Sequence, residues 1–170
     1  MFDIPFDEIA PIVGRSATAA RQLASRARRR VQGAATAPEA DFTRQRAAVT
    51  AFLAASRDGH FDALLALLDP DVVVRADDRA IQVAAANKRG GAPSLSRQVR
   101  GAAAVAKIFS GRAGAAQPAL VNGAAGLVWA PGGRPRGVFE FTIAGEKIVA
   151  IDLIMDPARL RRLNLVVLND

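Results

Sequence analysis

The sequence has no cysteine, no tyrosine and one histidine in 170 residues. The absence of cysteine excludes disulfides, thiolate metal sites and thiol nucleophiles, and it fits a protein of the reducing cytoplasm. No apolar run is long enough to span a membrane, and the amino terminus, "MFDIPFDEIAP", is acidic where a signal peptide is basic. Metal-ligand clusters, phosphate-binding loops and Ser-His-Asp arrangements are also missing, so we expect neither a metal nor a cofactor.

The positive charge is concentrated near the amino terminus. The net charge is +7, and hydrophobic residues make up 51% of the chain, which is enough for a substantial core. Residues 14–33 contain six arginines and no acid, whereas residues 1–13 contain three acids and no base. Arginine is abundant along the whole chain, so its distribution bears on function more than its number does.

Residues 1–32, which include most of this arginine-rich segment, have the pattern of two short helices joined by a turn. Asp7 stands at the N-cap of the first helix, Gly14 ends that helix, and Ser16 caps the second. Over residues 17–32 apolar side chains fall on one face, and polar and basic ones fall on the other. The pattern is typical of a helix-turn-helix, whose second helix enters the major groove; the alternative is a solvated helix face. The predicted DNA-binding residues are Arg15, Ser16, Thr18, Arg21, Gln22, Ser25, Arg28 and Arg29.

A linker separates this segment from a longer globular part. Residues 33–40, "GAATAPEA", combine small residues with glycine and proline. The predicted organisation is therefore a partial helix-turn-helix over residues 1–32, a linker over residues 33–40 and a globular domain over residues 41–170.

The globular part begins with helices and ends with strands. The first predicted elements are the helices "FTRQRAAVTAFLAASRDG" and "HFDALLALLDP", the strand "DVVVRAD" and the helix "RGAAAVAKIFSGR". The later predicted strands are "QPALVNG", "AGLVWAP", "PRGVFEFTIAG" and "KIVAIDLIMDP", followed by a helical turn that Asp156 caps. This order predicts an α+β fold in which a four-strand antiparallel meander wraps round helices.

Two segments resemble parts of a known family. The globular part, from "FLAASRDGHFDALLALLDPDVVVRAD" to "GVFEFTIAGEKIVAIDLIMDPARLRRL", is similar to SnoaL-like domains, cone-shaped members of the nuclear-transport-factor-two-like superfamily. It looks like the version fused to the carboxy end of certain bacterial extracytoplasmic-function (ECF) sigma factors. The segment "PFDEIAPIVGRSATAARQLASRARRRV" resembles the last two helices of sigma region 4, which contacts the −35 promoter element. Both segments occur in the family's order.

The resemblance implies a transcription initiation factor whose partners are RNA polymerase core and promoter DNA. Sigma region 2 and the first helices of region 4 have no counterpart, so we expect only part of such a factor. In some family members a glycine-rich motif and an Asn-Pro-Asp-Lys-Leu-like motif support control by the SnoaL-like domain. The matching positions here read "DDRAI", which lacks the glycines, and "DPARL". The implied regulatory residues are Asp77, Asp78, Asp156, Pro157 and Leu160.

SnoaL-like folds also serve polyketide cyclases and ketosteroid isomerase, so an enzyme is the alternative function. Such enzymes need a carboxylate or histidine base in an apolar cavity. Each base candidate has a non-catalytic alternative: a turn for His60, an exposed strand face for Glu140 and an arginine ion pair for Asp152. Because the chain also lacks the isomerase's tyrosine, we expect no enzymatic activity.

A cavity without catalytic residues can still bind a ligand, so a ligand-sensing module is a third hypothesis. The candidate pocket residues are Phe109, Trp129, Phe139, Phe141 and Asp152. Aromatic residues at such spacings also occur in ordinary cores. The resemblance further allows a homodimer formed through the sheet, as in many members of the superfamily.

Overall fold

The computed structural model describes residues 38–168. By its internal contacts the chain divides into two units, Met1–Asp41 and Phe42–Asp170. The predicted helix-turn-helix, with all eight DNA-binding candidates, lies outside the described residues, and so do residues 33–37 of the predicted linker. A helix begins at Pro38, so the last three residues of the predicted linker are helical.

The described part of the chain begins with two helices, and a run of four consecutive strands follows later. In order the elements are α1 (Pro38–Asp58), α2 (Phe61–Leu67), β1 (Leu68–Ala76), α3 (Asp78–Ala86), β2 (Gln98–Arg100), α4 (Ala102–Phe109), β3 (Ala116–Val121), β4 (Ala124–Trp129), β5 (Gly137–Ala144), β6 (Lys147–Ile154), α5 (Pro157–Leu160) and β7 (Leu165–Val167). Short 3-10 turns cover Lys88–Gly90 and Pro131–Gly133. No helix among residues 38–168 is long and apolar enough to cross a membrane.

Turn residues end several of these elements. Gly59 follows α1 with a φ of +70°, a conformation that side-chain-bearing residues rarely adopt. Asn122 and Gly123 join β3 to β4 and both have positive φ, as a two-residue hairpin turn of the favoured type requires. Pro70 lies in β1 where the pairing with β6 shifts register, so its missing N–H group costs no regular ladder bond.

One sheet contains all seven described strands, in the order β2-β1-β6-β5-β4-β3-β7. The meander β3-β4-β5-β6 is antiparallel throughout, as predicted. Strand β1 pairs with β6 in parallel, and the short strands β2 and β7 form the two edges. The α+β class is confirmed, but α3, β2, β7 and the parallel pair were not predicted.

The main core lies between one face of the sheet and helices α1, α2 and α4. Phe52 of α1 is at its centre, with its ring 5.1 Å from the ring of Phe109 and 5.3 Å from that of Phe141, both edge-on. Leu64 and Ile151 are fully buried in the same cluster. Each such side chain contributes about 1.5–3 kcal/mol by leaving water. A sheet with helices packed on one face agrees with the predicted α+β architecture.

A second apolar cluster is formed by β3, β4 and β5. Its buried members are Ala119, Val121, Val128 and Val138. The carboxy-terminal segment, residues 160–167, packs against them through Leu160, Leu163, Leu165 and Val167. This carboxy-terminal segment therefore covers an apolar patch that the sheet would otherwise expose.

Candidate functional site

The two predicted regulatory segments meet at the carboxylate of Asp77. Its Oδ1 accepts the N–H group of Ala80 at 2.8 Å and so caps α3. Its Oδ2 accepts the N–H groups of Met155 and Asp156, both at 2.9 Å. The N–H group of Asp77 in turn donates to the carbonyl oxygen of Leu153 at 3.2 Å. We call the contact between Asp77 and residues 153–156 the Asp77 junction.

Backbone donors rather than an ion pair satisfy the Asp77 carboxylate. The side chain is 11% exposed, and the nearest cationic atom recorded, Nη1 of Arg159, lies 3.9 Å from Oδ2. Three backbone N–H groups contact the two oxygens. Hydrogen bonds to an ionised acceptor are roughly twice as strong as neutral ones, so this carboxylate fixes both segments firmly.

The other regulatory candidates play different parts. Asp156 caps α5 by accepting the N–H group of Arg159 at 2.8 Å, and Pro157 occupies the first helical position. Leu160 packs on the second apolar cluster. Asp78, in contrast, points to solvent and forms an exposed ion pair with Arg97 at 3.0 Å.

A cavity of about 650 Å³ lies beside the Asp77 junction, and α3 forms part of its wall. It is lined by three of the predicted pocket residues, Phe109, Trp129 and Phe139. The remaining lining residues are Ala80, Val83, Ala84, Asn87, Gly90, Gly91, Ala92, Pro93, Leu95, Ile108, Ser110, Gly111, Arg112, Gly114, Leu153 and Met155. Phe141 and Asp152 do not line this cavity, in contrast to the prediction; Phe141 packs in the main core instead.

Asp152 does not line the cavity, because successive side chains of β6 point to opposite faces of the sheet. Its neighbours in β6, Ile151 and Leu153, are buried on the helix-covered side, so Asp152 points to the other face. There it forms a bidentate pair with Arg75 of β1, with Nε–Oδ1 at 2.6 Å and Nη2–Oδ2 at 2.8 Å. The hydrogen bonds to Asp152 raise the pKa of Arg75 above its usual value, although burial acts in the opposite direction.

The other two base candidates also lie away from the cavity. His60 is exposed at the start of α2 and makes no side-chain capping bond there. Glu140 stands opposite Asp152 on β5 and is half-buried. Among residues 38–168 no group of three or more His, Asp or Glu side chains is placed to hold a metal ion.

Sequence reasoning missed helix α3, which supplies both the junction and part of the cavity wall. The signal was present in "DDRAIQVAAANKRGG": an aspartate N-cap, a run of alanine-rich helix formers and a pair of glycines at the end. The comparison of "DDRAI" with the family's glycine-rich motif gave no sign of this helix. The contact between Asp77 and Asp156 has no local signal, since it joins residues 79 positions apart.

The chain is similar to curated proteins and to solved structures. No family model matches it. The ECF RNA polymerase sigma factor SigJ of Mycobacterium tuberculosis is 36% identical over 160 residues, which cover 88% of this chain and 47% of SigJ. A protein of the same species described as a probable ECF RNA polymerase sigma factor, SigI, is 31% identical over 161 residues, with coverage of 94% and 51%.

One solved structure agrees with these relatives. The crystal structure of Mycobacterium tuberculosis SigJ matches with a TM-score of 0.52 and 32% identity, over 92% of this chain and 55% of that one. An NTF-2 like protein of Burkholderia xenovorans matches with a TM-score of 0.46 and 15% identity. The chain spans about half the length of the curated relatives it matches. Over that half, its sequence is similar to those of ECF RNA polymerase sigma factors.

Proposed function

We propose that this chain is the carboxy-terminal part of a sigma factor that directs RNA polymerase core to promoter DNA. The observation that carries the proposal is the similarity to the two sigma factors. It covers 94% of the chain in the case of SigI, and so it extends from the described domain into residues 1–32. A domain borrowed alone from another context would match only from about residue 41 onward.

Within the proposal, the arginine-rich helix of residues 17–32 contacts the −35 element. Arg28 and Arg29 lie toward its carboxy end and serve the phosphates. Arg21 and Gln22 lie nearer its start, where a recognition helix reaches base edges. Residues 17–32 carry five arginines and no acid, which supports this role by attracting a polyanion.

The SnoaL-like domain modulates the sigma factor by contact rather than by catalysis. Among the described residues that line the cavity there is no carboxylate and no histidine, which supports a non-enzymatic role. We propose that the surface at the Asp77 junction, with the exposed Asp78 and Arg159 beside it, contacts the sigma regions or the polymerase. Such a factor works beside RNA polymerase in the cytoplasm.

The test uses the complete reading frame that encodes this chain, assembled with RNA polymerase core. Promoter binding is measured for the wild type and for the variant Arg21→Ala plus Arg28→Ala. We expect the double variant to bind at least tenfold more weakly and with a shallower dependence on salt, because two phosphate or base contacts are lost.

The matched control is Arg134→Ala plus Arg136→Ala, which removes the same charge from exposed positions of the globular domain. It is expected to bind promoter DNA as the wild type does. Equal binding by all three proteins would contradict the proposal. So would the absence of sigma region 2 from the reading frame upstream of residue 1.

A further inference from the structure

We propose that the cavity beside α3 binds a small molecule that has an apolar body and one negatively charged group. This proposal does not depend on the promoter-binding role proposed above. The cavity volume of about 650 Å³ lies within the range of ligand sites in proteins, roughly 300–1,000 Å³.

The inner part of the cavity suits the apolar body. Its buried lining residues include Ile108, Phe109 and Leu153, which are 8%, 7% and 5% exposed. The rings of Trp129 and Phe139 add aromatic surface to the wall. Among the described residues that line it, none carries an acidic side chain, so an apolar or anionic guest meets no repulsion.

The outer part of the cavity carries a fixed positive charge. Arg112 is exposed and lines the cavity together with its exposed neighbours Gly91 and Gly111. Its Nε donates to the carbonyl oxygen of Gly91 at 2.8 Å, and its Nη1 donates to the carbonyl oxygens of Lys107 and Ile108. These bonds hold the guanidinium group in one place beside the lining residues Gly91 and Ile108.

One side of this guanidinium remains available for a ligand. Among residues 38–168 the structure shows no protein acceptor for Nη2 of Arg112, although Nε and Nη1 both have partners. The exposed turn Lys88–Gly90, which follows the lining residue Asn87, adds two more cations nearby. A preorganised arginine with a free donor is a typical carboxylate or phosphate binder, so the charged group of the ligand is an anion.

The cavity contains its own reporter, because Trp129 lines it and is the single tryptophan of the chain. Binding is measured by Trp129 fluorescence and by calorimetry with three twelve-carbon probes: dodecanoate, dodecanol and dodecylammonium. The two charged probes are kept below their critical micelle concentrations, and dodecanol is kept below its solubility limit. We expect dodecanoate to saturate the signal and to bind at least tenfold more tightly than the other two. Equal affinity for dodecanoate and dodecylammonium, or no saturable signal with any probe, would overturn the proposal.

Two variants and a matched control locate the site. Arg112→Gln should weaken dodecanoate binding at least tenfold and leave dodecanol binding unchanged, because it removes the positive charge but leaves the apolar lining in place. Val83→Phe should weaken all three probes, since the larger side chain fills the cavity. The control Arg79→Gln removes the same charge from α3 at an exposed position outside the lining, and it should bind as the wild type does.

Arg112 is exposed, so the Arg112→Gln protein is expected to fold, and far-ultraviolet circular dichroism verifies this for each variant. If Arg79→Gln and Arg112→Gln weaken dodecanoate binding equally, the attraction is general to the basic surface and the site is refuted. These measurements need no DNA or polymerase. A negative result would therefore refute the ligand site without contradicting the promoter-binding proposal.

Discussion

Oδ2 of Asp77 accepts the N–H group of Asp156 at 2.9 Å, and this bond joins the two segments that the sequence marks as regulatory. They follow different strands, β1 and β6, which run side by side in parallel. Strands that run in parallel bring their carboxyl ends to the same edge of the sheet. The parallel pair is therefore what allows one carboxylate to serve both segments.

We predict that Asp77→Asn lowers the free energy of unfolding by about 1–3 kcal/mol, because a buried network loses a charged acceptor and one N–H donor then faces an amide N–H₂ group. The measurement is urea unfolding of the chain followed by circular dichroism. The matched control is Asp78→Asn, which makes the same change one residue along at an exposed ion pair. Its effect should stay within about 0.5 kcal/mol, and an equal loss in both variants would contradict this account of the junction.

The bidentate pair of Arg75 and Asp152 is predicted to contribute only a little to the free energy of unfolding. Their side chains are 50% and 30% exposed, so water screens the attraction between them. A double-mutant cycle with Arg75→Ala and Asp152→Asn should give a coupling of about 0.2–1 kcal/mol in urea unfolding. A coupling well above this range would mean that the pair is far less solvated than its exposure indicates.

The carboxy-terminal segment is predicted to keep the chain from associating through its sheet. Replacing Leu160 and Leu163 by Asp should detach the segment from Val121 and Val138, because two charges cannot stay in an apolar contact. The exposed patch should then drive self-association, measured by light scattering during size-exclusion chromatography. The control, Arg161→Asp plus Arg162→Asp, places the same residues at exposed positions between them and should leave the mass unchanged.

The sequence predicted those parts of the fold whose signals are local. The helix that contains Phe52 has clear periodicity, and the four strands of the meander are apolar runs separated by turn residues; all were found. Strands β2 and β7 were missed because three residues carry too little pattern, and they form only by pairing with β1 and β3.

The candidate site, like the fold, has local sequence signals for only some of its residues. Three of the aromatic candidates line the cavity, since large apolar side chains on strands and helices tend to face inward. Asp152 was misplaced because β6 carries buried residues on both of its faces, so hydrophobicity along the strand does not reveal which way a polar residue points. Arg112 was not singled out because its position depends in part on the carbonyl group of Gly91, 21 residues away.

Gly126 is predicted to be required for the close approach of β4 to its neighbours. A Cβ atom at this position would lie 2.8 Å from the carbonyl oxygen of Phe139 and 2.9 Å from Cγ2 of Val121. Backbone and a buried valine cannot move away freely, so Gly126→Ala should lower the free energy of unfolding by about 1–3 kcal/mol. The control Gly114→Ala adds the same methyl group where nothing lies within 4 Å and φ is not positive. Urea unfolding should separate the two variants, because only the first forces β4 and β5 apart, and equal midpoints would show that the sheet adapts to the added methyl group at little cost.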